Sequence, residues 1–150
     1  MILLSPVIER LRGVKGAGGH SLFRLVEGSI SYAAATKAGS ALGDGPNAYV
    51  LPLADMPEPA TANGGPQMVV SQFQVQLFIR LHGSVHGFEK EVQLVDLEER
   101  VLNSLLGWSP GPDLYRLSLA RAGLSDFSGQ ELWWGMAFAT RYAIMPNNPI

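Results

Sequence analysis

Between Val69 and Leu81 the chain alternates. The odd positions read Val69, Ser71, Phe73, Val75, Leu77, Ile79 and Leu81, and the intervening ones include Gln72, Gln74, Gln76 and Arg80. A period of two over this length predicts a long strand with one buried face. After a loop from His82 to Gly87 the period changes. Leu94, Leu97, Val101, Leu102, Leu105 and Leu106 form one stripe at helical spacing, with Glu89, Lys90, Asp96, Glu98, Glu99 and Arg100 elsewhere. Phe88 to Leu106 therefore predicts an amphipathic helix, stopped at Gly107, with Trp108 folding back on its last turn.

The flanking sequence predicts shorter elements. Ser5-Pro6 supplies an N-cap and a first-turn proline for a helix ending at Gly13. Val14 to Ser21 is glycine-rich and reads as flexible, and Leu22 to Val26 reads as a short strand. Ser29 caps a small helix through Lys37, with Ile30, Ala33, Ala34 and Ala38 inward, and Gly39 to Pro46 is a second glycine-rich loop. Ala48 to Leu53 predicts a strand that Pro52 places at an edge or near its end. Ala54 to Pro66, with three prolines, is a long loop or an extended hairpin arm. Leu114 to Leu119 predicts another strand, Ala122 to Gly129 a turn region, and Leu132 to Ile144 the last strand. On that strand Leu132, Trp134, Met136, Phe138, Tyr142 and Ile144 share a face. Gly135, Ala137 and Ala139 leave the opposite face smooth enough for a helix to approach. The element order predicts an α+β fold: a mixed or antiparallel sheet packed with helices, in a single domain over residues 1–150 with one extended arm.

Composition narrows the function classes. Hydrophobic residues make up 47% of the 150 and charged residues 16%. That charge density is low for a solitary globule, which carries about 25% charged residues, and it suggests surface that meets other chains. A net charge of −2 gives no basic footprint for nucleic acid. The chain has no cysteine, so disulfides and thiolate metal sites are excluded. The first residues lack the charged and apolar regions of a signal peptide, and no apolar run reaches the roughly 20 residues that span a bilayer.

The catalytic motifs are weak. Gly107-Trp108-Ser109-Pro110-Gly111 matches the nucleophile elbow, but it follows a helix, and its prolines oppose a new one, so a helix cap and turn is the better reading. His82 and His86 have the spacing of two metal ligands but sit in a loop without a third. Gly16-Ala17-Gly18-Gly19 lacks the lysine and hydroxyl of a phosphate loop. Glu98 and Glu99 point different ways on a helix and read as solvated charges. Of Trp133 and Trp134, at least one belongs to the core. No catalytic residue, metal ligand or cofactor site is expected.

Several segments, in order, resemble the tail terminator proteins of long-tailed phages. Pro46-Asn47-Ala48-Tyr49-Val50-Leu51-Pro52-Leu53 is similar to that family's strand leading into a proline-containing arm. Val69 to Leu77 is similar to its long central strand. Leu94 to Leu102 with Leu105-Leu106-Gly107-Trp108-Ser109-Pro110 is similar to its main helix and closing turn. Leu132-Trp133-Trp134 through Phe138 and Tyr142 is similar to its last strand. The resemblance implies a structural virion protein and not an enzyme. Such a protein forms a homohexameric ring on the head-proximal end of the tail tube, stops tube polymerisation and forms the joint to the head connector. Its implied partners are itself, the tail tube protein and a connector or stopper protein. DNA passes through the lumen without specific binding, and no membrane is involved. The implied location is the tail of the virion, with host cytoplasm during assembly.

The arm is too long for a simple connection, and its prolines favour an extended form. Asp55, Met56, Pro57, Glu58, Pro59 and Asn63, with the loop residues His82 and His86, are accordingly the candidate contacts with a neighbouring subunit or the tube. Another head–tail joining or completion protein is the alternative within this class. From other classes come a small cytoplasmic α+β enzyme or ligand-binding domain and a regulatory interaction module.

Overall fold

The computed structural model describes residues 1–38, 43–60, 63–81, 87–128 and 130–146. The elements in chain order are α1 (Ser5–Arg12), β1 (Leu25–Glu27), α2 (Ser29–Ala38), β2 (Asn47–Pro57), β3 (Gln67–Arg80), α3 (Gly87–Leu105), β4 (Ser118–Ser128) and β5 (Glu131–Ile144). The strands form one five-stranded sheet in the order β1-β2-β3-β5-β4. Only β1 and β2 run parallel; every other pair is antiparallel. The expected α+β fold is therefore the observed one.

The alternation in β3 sorts the sheet into two faces. Phe73, Val75, Leu77 and Ile79 lie on one face with Met136 and Phe138 of β5 and Ala48 and Val50 of β2. Phe73 and Phe138 are direct cross-strand partners, and their rings stack with centroids 5.6 Å apart. Leu97, Val101 and Leu105 of α3 cover this face, joined by Val7 and Leu11 of α1. Burying such side chains contributes about 1.5–3 kcal/mol each, so this layer holds most of the fold's apolar stabilisation. A second, smaller core lies across the sheet. There Tyr49, Phe78 and Trp133 pack against Tyr32 and Ala35 of α2. The Phe78 and Trp133 centroids are 4.9 Å apart, and Tyr32 meets both Tyr49 and Trp133 edge-on. Trp134 points the other way, packs on the main core and donates its Nε1–H to Glu98 Oε2 at 2.6 Å.

Five local expectations are corrected. α1 begins at Ser5 itself, with Leu4 as cap residue and no side-chain capping bond. In α2 the inward side chains are Tyr32 and Ala35, whereas Ile30 is 90% exposed; the aromatic ring finds Trp133, and that contact sets the helix's rotation. The strand expected over Leu114–Leu119 begins only at Ser118, and the supposed turn from Ala122 is strand through Ser128. Its small and polar residues carry no alternation because β4 is an edge strand exposed on both sides, placed by pairing with β5 instead of by propensity. The smooth face of β5 receives no helix at Gly135 and Ala137; α3 packs on the opposite face. Finally, Glu98 holds the Trp134 indole, and Arg100 bonds both Asp96 and the Lys15 carbonyl oxygen, so these charges are not merely solvated.

The helix ends as expected. Gly107 takes φ +75°, a left-handed conformation favouring glycine, and Trp108 N–H returns to the Leu105 carbonyl at 3.2 Å. The α3 assignment has a direct stability consequence. Leu97→Ala should cost about 2–5 kcal/mol in urea melts by leaving a cavity. Val92→Ala, on the exposed side of the same helix, should change stability by no more than about 0.5 kcal/mol. Equal losses at the two positions would contradict the packing described.

Candidate functional site

The segment from Ala54 onward is a hairpin arm. β2 continues to Pro57 and pairs with the first half of β3: Ala54 with Gln72, Asp55 with Ser71, Met56 with Val70 and Pro57 with Val69. A register shift between Pro52 and Ala54 precedes this distal stretch. Every residue from Pro52 to Pro57 is exposed.

The two carboxylates of the arm tie it back to the body. Asp55 accepts the Ser71 hydroxyl at 2.6 Å and lies 2.5 Å from the Met1 ammonium, which also reaches the Tyr142 hydroxyl at 3.0 Å. The hydrogen bond from that ammonium, then the Ser71 hydroxyl, holds the Asp55 carboxyl below its ordinary range. Glu58 pairs with Arg141 at 2.8 Å, and the Gln67 amide donates to the Glu58 carbonyl. Arg141 lies over the Tyr115 ring at 5.2 Å. Met56 is 44% exposed and carries no polar tie. Pro57, Pro59 and Asn63 are exposed along the arm and its turn. The structure thus gathers Asp55, Met56, Pro57, Glu58, Pro59 and Asn63 into one projection. His82 and His86 lie outside the described residues.

Sequence reasoning missed a bare polar sheet face beside the arm. Gln74, Gln76, Arg121, Ser125, Gly135 and Ala137 line an open hollow of about 560 Å³ there. Gln74 Nε2 and Ser125 Oγ both donate to Gln76 Oε1, at 3.1 and 2.9 Å. Gly135 leaves room for them: a Cβ there would stand 2.6 Å from Gln76 Oε1 and 2.7 Å from Ser125 Oγ. The run Gln72, Gln74, Gln76 was the available signal, but its significance depends on a glycine supplied by another strand. An apolar cleft of about 390 Å³ was also missed, formed where Met1 to Leu3 and Pro6 face the Pro110–Leu114 turn and Tyr142.

None of these surfaces assembles an active site. Ser109 Oγ lies 2.7 Å from the Gly111 carbonyl oxygen and 2.9 Å from that of Leu114, so its hydroxyl closes the turn. Among the described residues no group of three His, Asp or Glu side chains is placed to hold a metal, and no helix is long and apolar enough to cross a membrane.

The model of the phage tail terminator protein family matches residues 2–148. The chain belongs to that family. It is accordingly a structural tail protein of the virion and not an enzyme. A search of curated proteins returned no match. Among solved structures it is similar to a chain in "Virion of native gene transfer agent (GTA) particle", with 17% identity, 73% of this chain and 83% of that one covered, and a TM-score of 0.45.

The Asp55 contact makes the arm pH-sensitive. Because the folded carboxyl titrates below its unfolded value of about 3.9, its contribution is present above that pH and is lost as pH falls through the folded value. Protection factors of the arm amides, exchange rates normalised to the intrinsic rate at each pH, should therefore fall in acid below about pH 4 in the native chain. In Asp55→Asn the protection factors should be low already at pH 6 and flat with acidification. An unchanged acid profile in the variant would assign the sensitivity elsewhere.

Proposed function

We propose that this protein caps the head-proximal end of the tail tube as a homohexameric ring, stops tube polymerisation and forms the joint to the head connector or stopper. Membership of the tail terminator family over nearly the whole chain carries the reading. The arm supports it physically. A segment exposed throughout yet anchored at Asp55 and Glu58 is preorganised for a partner, so little ordering entropy is lost on contact. Asp55, Met56, Pro57, Glu58, Pro59 and Asn63, with His82 and His86, belong to the proposed contact with a neighbouring subunit or the tube. The protein acts in the tail of the virion after assembly in the host cytoplasm.

Capping needs asymmetry. A growing tube presents the same end surface after each addition, and only a different protein seated there removes the next site. A ring whose subunits contact neighbours through two different surfaces closes on itself and stops. DNA must traverse the lumen without being held. The bare face with Gln72, Gln74 and Gln76 is mostly uncharged: Arg121 lines it, and Arg141 beside it is paired with Glu58, so it carries no extended row of cations that would bind phosphate through counterion release.

Phage lacking this protein should make tails of excessive and variable length that fail to join filled heads, as measured on electron micrographs. Tails of normal length that are merely unattached would favour a joining or completion protein instead. Replacing residues 58–66 by a Gly-Ser turn should leave the melting transition in place and reproduce the overlong tails. Normal tails from the shortened protein would remove Glu58, Pro59 and Asn63 from the contact.

A further inference from the structure

The sheet has two unfinished edges, at opposite ends of its strand order. At one end β4, 11 residues long, has β5 as its only strand partner. Among the described residues no backbone hydrogen bond reaches its outer edge. Every residue from Ser118 to Phe127 except Gly123 is exposed, including Leu119, Leu124 and Phe127. At the other end β1 pairs only with Asn47 to Tyr49 of β2. The distal part of β2, from Pro52 to Pro57, has a partner on the β3 side alone, and Leu53 and Met56 on it are exposed.

Exposed strand edges present rows of unpaired donors and acceptors, and solitary proteins blunt them with charge, proline, bulges or a cover; here the blunting takes the form of Pro52 and Pro57 of β2 and the two register shifts of β4. Here β4 has no lysine and no proline. Its register shifts, between Leu119 and Arg121 and between Leu124 and Asp126, leave a regular run from Arg121 to Leu124. The shift in β2 leaves a matching regular run from Ala54 to Pro57. Ala122 and Gly123 on one edge and Ala54 on the other are small enough for close strand approach.

We propose that the outer edge of β4 in one copy pairs with the distal edge of β2 in the next, so that the sheet continues from subunit to subunit. This rests on the ring reading above and specifies its subunit contact. Strand directions support it: β2 and β5 run one way, β3 and β4 the other. Copies related by rotation keep these directions, so β4 meets the next copy's β2 antiparallel, with straight ladder hydrogen bonds. The register rows place Ala54 level with Ser118 and Ala122 level with Val50, so facing the two runs needs a stagger of about four residues per subunit, as strands tilted against the ring axis give. The contact is heterologous and can close into a ring. Pairing β4 with another β4 would leave the β2 edge open and yield only dimers. The occupant is therefore a second copy of this chain engaged through a different edge.

The absence of native cysteine permits a clean test. Ala54→Cys and Ala122→Cys variants, each first checked for an unchanged melting transition, are mixed, assembled onto tails and treated with a short bismaleimide that tolerates a one-residue register offset. The expected product is a dimer containing one chain of each variant, with Ala122→Cys alone giving at least tenfold less. A chain carrying both substitutions should give a ladder ending in closed rings. Dimers from Ala122→Cys alone at equal yield would replace the proposal with β4–β4 pairing. Linkage of Ala122→Cys to another tail protein would assign the edge to that protein. Rings visible at tail ends without the mixed dimer would overturn the edge contact and leave capping intact, whereas absence of the protein from tail ends would overturn both.

Discussion

The architecture depends on β3 being hydrogen-bonded along both edges. It pairs with β5 over its whole length, from Gln67–Ile144 to Arg80–Glu131, and with β2 from Val69 to Phe78. A buried backbone that loses its partners incurs the desolvation of each polar group, so this strand cannot shift without cost. A one-residue slip would also turn Phe73, Val75, Leu77 and Ile79 away from α3 and present the glutamines to the main core. The central strand therefore fixes at once the sheet order, the helix-covered face and the neutral face.

Polar groups at the distal end extend that control to the arm. Ser71 and Thr140 are register partners on β3 and β5, both buried. The Ser71 hydroxyl reaches outward to Asp55 on β2, and the Thr140 hydroxyl reaches the Tyr115 carbonyl oxygen at 2.5 Å on the segment leading to β4. Two hydroxyls in an otherwise apolar row thus align the outer strands on either side. Arg141 performs a related task on the other face, joining Glu58 of the arm and the Tyr115 ring. These contacts hold an exposed arm and an exposed edge in fixed positions on the body.

Elements with a buried face were legible in the sequence, because burial imposes a period. β3, α3 and β5 were read nearly to their ends from alternation or the leucine stripe. β4 is not legible because both its sides are exposed, so nothing selects an apolar period; only pairing with β5 defines it. Hydrophobicity alone points Ile30 inward, yet Tyr32 and Ala35 face Trp133, a contact no local pattern encodes. The same limit applied to the site. Prolines and length marked the arm, but its anchoring by Tyr142 and Arg141 and the glutamine face over Gly135 bring together residues far apart in the chain.

In the proposed assembly the arm and the β4 edge are the surfaces left open for joining onto the tail. High-resolution electron cryomicroscopy of the head-facing end of isolated tails tests this most directly. The expected map shows a closed ring of this chain there, with the body unchanged and both Pro52–Pro57 and Ser118–Phe127 buried against other subunits. A map with the chain elsewhere in the particle, or at the tail end with both segments in solvent, would contradict it.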